Sequence, residues 1–138
     1  MVYIKNFASW GPFKSHLNNR EPLFCKERQI WWCSTGVNVG SEQDGKNARF
    51  ERPVLIVRRF TARLFLAMPL TTNMTEKPHK IIAPAWVNNK KTRLNRAFLI
   101  NQMRVLDAAR IHRKMGYVDK ATFDEIKRQI CASLHHEL

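Results

Sequence analysis

The sequence predicts a mainly β chain that closes into a small, strongly curved barrel with peripheral helices, on three observations. Its apolar runs are short and rich in β-branched or aromatic residues: Ile30-Trp31-Trp32-Cys33, Val54-Leu55-Ile56-Val57 and Leu64-Phe65-Leu66-Ala67-Met68. Each is bounded by turn formers, which favours strands over helices. The second and third runs are joined by only Phe60-Thr61-Ala62-Arg63, a connection too short for anything but a hairpin. The last stretch carries Phe123, Ile126, Ile130 and Leu134 at helical spacing, a stripe that buries one face of a closing helix against a core or a dimer partner. At 138 residues and 44% hydrophobic composition, the chain is expected to form one domain, 1–138, with an adequate core.

The elements follow in order. Residues 1–24 are read as an N-terminal extension in which Phe7, Trp10, Phe13 or Lys14, and Leu17 form an apolar stripe. Gly11-Pro12 interrupts it, so the helix is expected to be short or to begin near Pro12. It either packs across the barrel or offers an aromatic surface to nucleic acid. Trp31 and Trp32, adjacent in the first strand, face opposite sides of the sheet; one serves the core, and the other packs, meets a dimer partner or forms a base-stacking platform. A polar loop, Gly40-Ser41-Glu42-Gln43-Asp44-Gly45-Lys46, leads to Arg52-Pro53, and Pro53, which cannot donate to a ladder, suits a strand start. A turn centred between Thr61 and Ala62 places Arg52 opposite Thr71, with Cβ atoms roughly 5 Å apart. Glu42, Arg52 and Thr71-Thr72 then meet at one end of the sheet. Ile81 to Trp86 reads as an edge or bulged strand because of Pro84. Asn88 to Arg93 reads as a basic loop, either solvated or touching phosphate. Phe98-Leu99-Ile100 reads as an inner strand, and Asp107 caps a turn through Ile111 that closes near Gly116. Asp119 is the N-cap of the final helix, 119–135, with Asp124 and Arg128 as an i,i+4 pair.

Lys plus Arg number 24 against 11 acidic residues, a formal charge of +13, so polyanions are the expected partners: nucleic acid, an acidic protein tail or an anionic membrane surface. No apolar run approaches the roughly 20 residues that span a bilayer, and there is no signal-peptide pattern. Cys25, Cys33 and Cys131 contain no C-x-x-C pair, which argues for reduced thiols in a cytosol rather than a disulfide or zinc framework. Cys33 and Cys131 are read as small packing residues. No His/Cys/Asp/Glu spacing fits a metal site, and no cofactor is expected. Of the five histidines, only His79 is placed to reach the cleft.

Trp31-Trp32, Gly40-Ser41-Glu42-Gln43, Arg52-Pro53-Val54 and Pro69-Leu70-Thr71-Thr72 occur in this order, followed by Gln102-x-Arg104-x-Leu106-Asp107 with Arg110, Lys114 and Gly116. In this the chain resembles the MazF/PemK toxins of bacterial type II toxin-antitoxin modules, from about Ile30 to Ile130. The resemblance implies the SH3-like barrel shared by MazF and CcdB toxins, usually as a homodimer. It also implies a metal-independent endoribonuclease that cuts single-stranded RNA, leaving a 2′,3′-cyclic phosphate and a 5′-hydroxyl. Arg52 and Thr71 match the family's principal catalytic positions, and Glu42 matches the acidic residue of the Gly-Ser-Glu-Gln motif. The implied partner besides RNA is a cognate antitoxin with an acidic tail, in the cytoplasm.

The chemistry suits these residue types. RNA carries its own nucleophile, so cleavage needs a group to take the 2′-proton, a donor for the departing oxygen and cationic stabilisation of the phosphorane. Arg52 supplies fixed charge and forked donors for phosphate oxygens, and Thr71 can bond the same phosphate. Glu42 is the candidate proton acceptor; its other reading is to order the loop or pair with Arg52. Without the resemblance, a structural salt bridge is an equally good role for Arg52. Gln43, Lys46, Arg49, Thr72, Lys90, Lys91 and Arg93 are candidate RNA contacts. The stretch Asp44 to Glu51 lengthens the loop relative to compact family members, so it either adds RNA contacts, displaces Glu42 or covers the site. Two alternatives stand beside this reading: a CcdB-like poison of DNA gyrase, weakened because no tryptophan follows Trp86, and a non-catalytic RNA-binding barrel.

Overall fold

The computed structural model describes residues 4–88 and 91–135. Its elements are helix α1 (Phe7–Asn18), strands β1 (Gln29–Ser34), β2 (Glu51–Arg59), β3 (Leu64–Thr71), β4 (Lys80–Val87), β5 (Thr92–Leu99), β6 (Arg104–Asp107) and β7 (Ile111–Tyr117), and helix α2 (Lys120–Leu134). Strand neighbours run β2-β1-β7-β4-β5-β3, and β3 pairs back to β2, so six strands close a barrel. Closure leaves none of these six as the free edge of an open sheet. The far edge of β3 is divided: Leu70 and Thr71 pair with Phe98 and Ala97 of β5, and Leu64 to Ala67 pair with β6.

The hairpin forms in the expected register, with Val54 opposite Pro69 and Leu55 opposite Met68. Past that pairing, Arg52 Nη1 reaches the Leu70 carbonyl at the end of β3. Beyond Ile56 the register shifts by a residue, a bulge that bends β2 as barrel closure requires. Both faces of β2 are buried. Leu55 packs inside the barrel with Ile30, Met68, Phe98 and the α2 residues Phe123, Ile126 and Ile130. Val54 and Ile56 pack on the other side with Cys33, Phe65, Leu106 and Ile111. Arg52, in alternation with these two, stands on the second face.

Several expectations are corrected. Helix α1 starts at Phe7, not near Pro12, because the Asn6 side chain accepts from the Ser9 amide as an N-cap; Pro12 lies inside the helix. Its buried residues are Trp10 and Leu17, while Phe7 is exposed. Thr92 to Leu99 is one continuous strand paired with all of β4, so Arg93 is a strand residue rather than part of a loop. The turn after Asp107 is a single 3-10 turn, and the residues up to Gly116 belong to β7. On α2, Asp124 pairs with Lys120 and Arg128 with Glu125, since Glu125 offers both oxygens to one guanidinium. Cys33 is buried but Cys131 is exposed. Trp31 packs on the second cluster, and Trp32 lies under the Arg113 guanidinium at 4.7 Å. Among the described residues, no helix is long and apolar enough to cross a membrane.

Closure depends on a close approach at Gly116, which pairs with both Ile30 and Val87. A Cβ there would lie 1.7 Å from the Trp86 carbonyl oxygen. Gly116→Ala is therefore expected to destabilise the fold by about 3 kcal/mol, at the upper end of overpacking effects. Urea unfolding checks this, and an unchanged midpoint would contradict it.

Candidate active site

At the open end of the β2-β3 hairpin the chain buries a guanidinium. Arg52 is 8% exposed. Its Nε donates to the Asp44 carbonyl at 2.9 Å and its Nη1 to the Leu70 carbonyl at 3.2 Å. With the Gln43 amide turned so that its oxygen faces the guanidinium, that oxygen accepts from Arg52 Nη2 at 2.5 Å. These three acceptors are neutral groups that orient the guanidinium. Arg52 forms part of the lining of a groove of about 720 Å³, together with Lys5, Glu42, Gln43, Asp44 and Lys46.

The loop between β1 and β2 is folded tightly by its own groups. The Asn38 side chain donates to the carbonyls of Thr35 and Gln43, and the Asn38 amide donates to the Asp44 carboxylate at 2.7 Å. From the segment before β6, Gln102 accepts from the Gln43 amide and donates to the Ser41 carbonyl. Arg104 donates to the Thr35 carbonyl and the Asn38 side chain. Asp44 is also paired with Lys5, which reaches in from ahead of α1.

The predicted site residues separate into groups. Arg52, Gln43 and the Leu70-Thr71 end of β3 come together. Thr71 is half-buried, and its hydroxyl accepts from the Asn73 amide at 3.2 Å. Thr72 is exposed beside it. Glu42 lies on the groove wall, exposed, with its carboxylate accepting from the Val39 amide at 2.9 Å. Lys46 is exposed on the same wall, and its backbone bridges to Glu51. Arg49 is exposed, and its carbonyl accepts from Ser34. Lys91 sits exposed in the connection between β4 and β5, and Lys90 lies outside the described residues. Arg93, opposite Trp86 on β5, is not brought to Arg52. His79 does not reach this cleft either: it lines a separate groove with Ile100, Met103 and Leu134. Sequence reasoning assigned no site role to Lys5, Asn38, Gln102 or Arg104. Of these, Gln102 and Arg104 stood in a recognised motif, whereas Lys5 carried no sequence signal.

A sequence model of the PemK-like, MazF-like toxins of type II toxin-antitoxin systems matches residues 26–134. The chain belongs to this family. Among solved structures, MazF from Deinococcus radiodurans is similar at 17% identity and a TM-score of 0.60, covering 83% of this chain and 99% of that one. An endoribonuclease in complex with its cognate antitoxin from a mycobacterial species is similar at 19% identity and a TM-score of 0.54, over 83% and 98% of the two chains. The MazE-MazF complex of D. radiodurans gives 14% identity and 0.56, over 83% and 99%. At these identities the likeness concerns the fold, which is that of MazF. No curated protein sequence matches the chain.

In this MazF/PemK-family chain, a buried thiol and a half-buried imidazole are chemically silenced. Burial pushes the Cys33 thiol up to about 12, so it stays a protonated packing group. Burial first, and the Arg20 charge second, push His112 down to about 4. Arg20 Nη1 lies 3.2 Å from His112 Nδ1, and His112 Nε2 meets the Ser34 hydroxyl. Because that hydroxyl donates to the Arg49 carbonyl at 2.7 Å, His112 must donate through Nε2 and accept from Arg20 through Nδ1, which requires the neutral ring. The unfolded chain binds this proton more tightly than the folded one, near the ordinary value of 6.5. The His112 contribution to stability is therefore whole above pH 6.5 and falls progressively toward pH 4. Urea titrations between pH 7.5 and pH 4 should show this loss reduced in His112→Gln; an equal acid loss in both proteins would contradict the assignment.

Proposed function

We propose that this family member is the endoribonuclease toxin of its module, a metal-independent enzyme that cuts single-stranded RNA, with mRNA as its cellular target. The observation that carries the reading is the Arg52 guanidinium, buried at the sheet end and oriented by the Asp44 and Leu70 carbonyls within a groove. A fixed guanidinium of this kind is preorganised for charge that develops on a phosphorane, and needs little reorganisation during the reaction.

In the proposed reaction the RNA 2′-oxygen attacks the adjacent phosphorus, forming the O2′–P bond while the P–O5′ bond breaks. Glu42 accepts the 2′-proton, and the departing 5′-oxygen takes a proton from solvent. Arg52 stabilises the pentacoordinate phosphorane, and Thr71 bonds one of its oxygens. The products are a 2′,3′-cyclic phosphate and a 5′-hydroxyl. The nucleophile belongs to the substrate, so this chemistry has no need of a metal ion. Gln43, Thr72, Lys46 and Arg49 flank the reacting phosphate and contact RNA, with Lys91 and Arg93 as more distant phosphate contacts and Lys90 as a further candidate contact. The charge of +13 suits both the RNA and an acidic antitoxin tail competing for the same groove. The active unit is a cytoplasmic homodimer; the exposed apolar groove that includes Ile100, Met103, Ala132 and Leu134 supports such a contact.

End-labelled single-stranded RNA incubated in excess EDTA should be cut to cyclic-phosphate ends, and a 2′-deoxy substitution at the cut site should block the reaction. Arg52→Ala should lower kcat by roughly 10²- to 10³-fold, as loss of a charge-stabilising donor does. Thr71→Ala should lower it about tenfold, as loss of one hydrogen bond to a charged oxygen does at the lower end of its range. Salt-dependent RNA binding with no cleavage by the folded wild-type protein would contradict the enzyme reading and favour a binding-only barrel.

A further inference from the structure

We propose that Lys5, in a segment outside the residues matched by the family, is a positioning residue for Arg52. This rests on the endoribonuclease reading above. Lys5 Nζ donates to the Asn38 carbonyl and lies 3.3 Å from both oxygens of the Asp44 carboxylate. The two side chains are only 16% and 11% exposed. A pair this well shielded from water differs from an ordinary surface ion pair, because removing one partner leaves the other charge buried and uncompensated.

Asp44 connects the two ends of the arrangement. Its carboxylate takes Lys5 and the Asn38 amide, while its carbonyl takes Arg52 Nε at 2.9 Å. The residue that orients the guanidinium is thus itself held by Lys5. Gln43, next in the chain, is tied into the same fold of the loop through Asn38 and Gln102. Movement at Asp44 would tilt the guanidinium away from the scissile phosphate, and near-attack geometry tolerates little displacement.

The rest of the N-terminal segment is built to deliver Lys5 to this place. Asn6, the next residue, caps α1. The Trp10 ring of α1 lies directly on Gly36, where an added Cβ would come within 2.3 Å of it, and Gly36 holds a φ of +85°. Phe50 keeps a left-handed φ of 52° at the other end of the loop, a conformation that a bulky residue adopts only when its surroundings hold it there. Its ring is held by Trp10 at 5.4 Å and Phe13 at 5.9 Å. Both ends of the loop therefore rest on α1, and Lys5 closes the contact at the loop's centre.

The test compares steady-state RNA cleavage by wild type, Lys5→Ala, Lys5→Arg, Asp44→Asn and the Lys5→Ala/Asp44→Asn double variant, each well below its own unfolding midpoint. Lys5→Ala should lower kcat about tenfold, as small misplacements do, with KM within about twofold. Lys5→Arg should recover most of the loss. Asp44→Asn should match Lys5→Ala, and the double variant should be no worse than either, because both remove one interaction. Wild-type kcat in Lys5→Ala, whatever its unfolding midpoint, would overturn the proposal. A rise in kcat/KM would also overturn it, since the pair would then be closing the site against substrate. If the wild-type protein cuts no RNA, the endoribonuclease reading fails separately. The positioning claim is then read from the Arg52 Nε–H resonance in ¹⁵N spectra, which must shift or broaden in Lys5→Ala and recover in Lys5→Arg; an unmoved resonance overturns it.

Discussion

A guanidinium buried at the end of a sheet must be given acceptors, because five donors removed from water without partners would be far too costly. Much of the irregular structure here answers to that demand at Arg52. The hairpin register brings the Leu70 carbonyl to one side of it, and the β1-β2 loop brings Asp44 and Gln43 to another. The loop could not stay there on local bonds alone. Gln102 and Arg104 hold it from the β6 side, and Lys5 holds it from the N-terminal side. The result is a charge fixed in direction at a groove, the property that phosphoryl chemistry uses.

The barrel stands behind this arrangement. Both faces of β2 are buried, so Val54, Leu55 and Ile56 fix the strand against rotation and slippage. A one-residue slip would carry Arg52 to the opposite face and away from Asp44. α1 adds a third, smaller core of Trp10, Leu17 and Val37 with Phe13 and Phe50. Arg20 then ties the end of that helix to the barrel through Ala109, Ile111 and His112. The helix is thus secured to the same wall that carries the site.

Much of this was legible in the sequence where local chemistry decides. The short β2-β3 connection and its flanking apolar runs were enough to set the hairpin register, with Val54 opposite Pro69. The stripe Phe123, Ile126 and Ile130 was enough for α2. Thr92 to Ala97 was not read as a strand, because Arg93, Leu94 and Asn95 are all exposed and the segment shows no alternation; its pairing with β4 is a tertiary fact. The Asn6 cap gives only a weak signal beside Pro12, a residue that disfavours a helix interior. Glu42 reads in the sequence both as a proton acceptor and as a group that orders the loop, and its carboxylate accepts from the Val39 amide. Lys5 was out of reach altogether. Its contact with Asp44 spans 39 residues of chain, and no pattern of spacing or composition marks it.

The central claim is that the oriented Arg52 guanidinium receives the RNA phosphate. The most direct measurement is a ¹⁵N NMR titration of the Arg52 Nε–H resonance, assigned with Arg52→Lys, using a single-stranded RNA made uncleavable by 2′-deoxy substitution at the cut site. The account predicts a saturable shift of that resonance at the concentration where the oligonucleotide binds, and the same shift with the Lys46 and Arg49 side chains truncated. RNA binding that perturbs other arginine resonances while leaving Arg52 unmoved would contradict it.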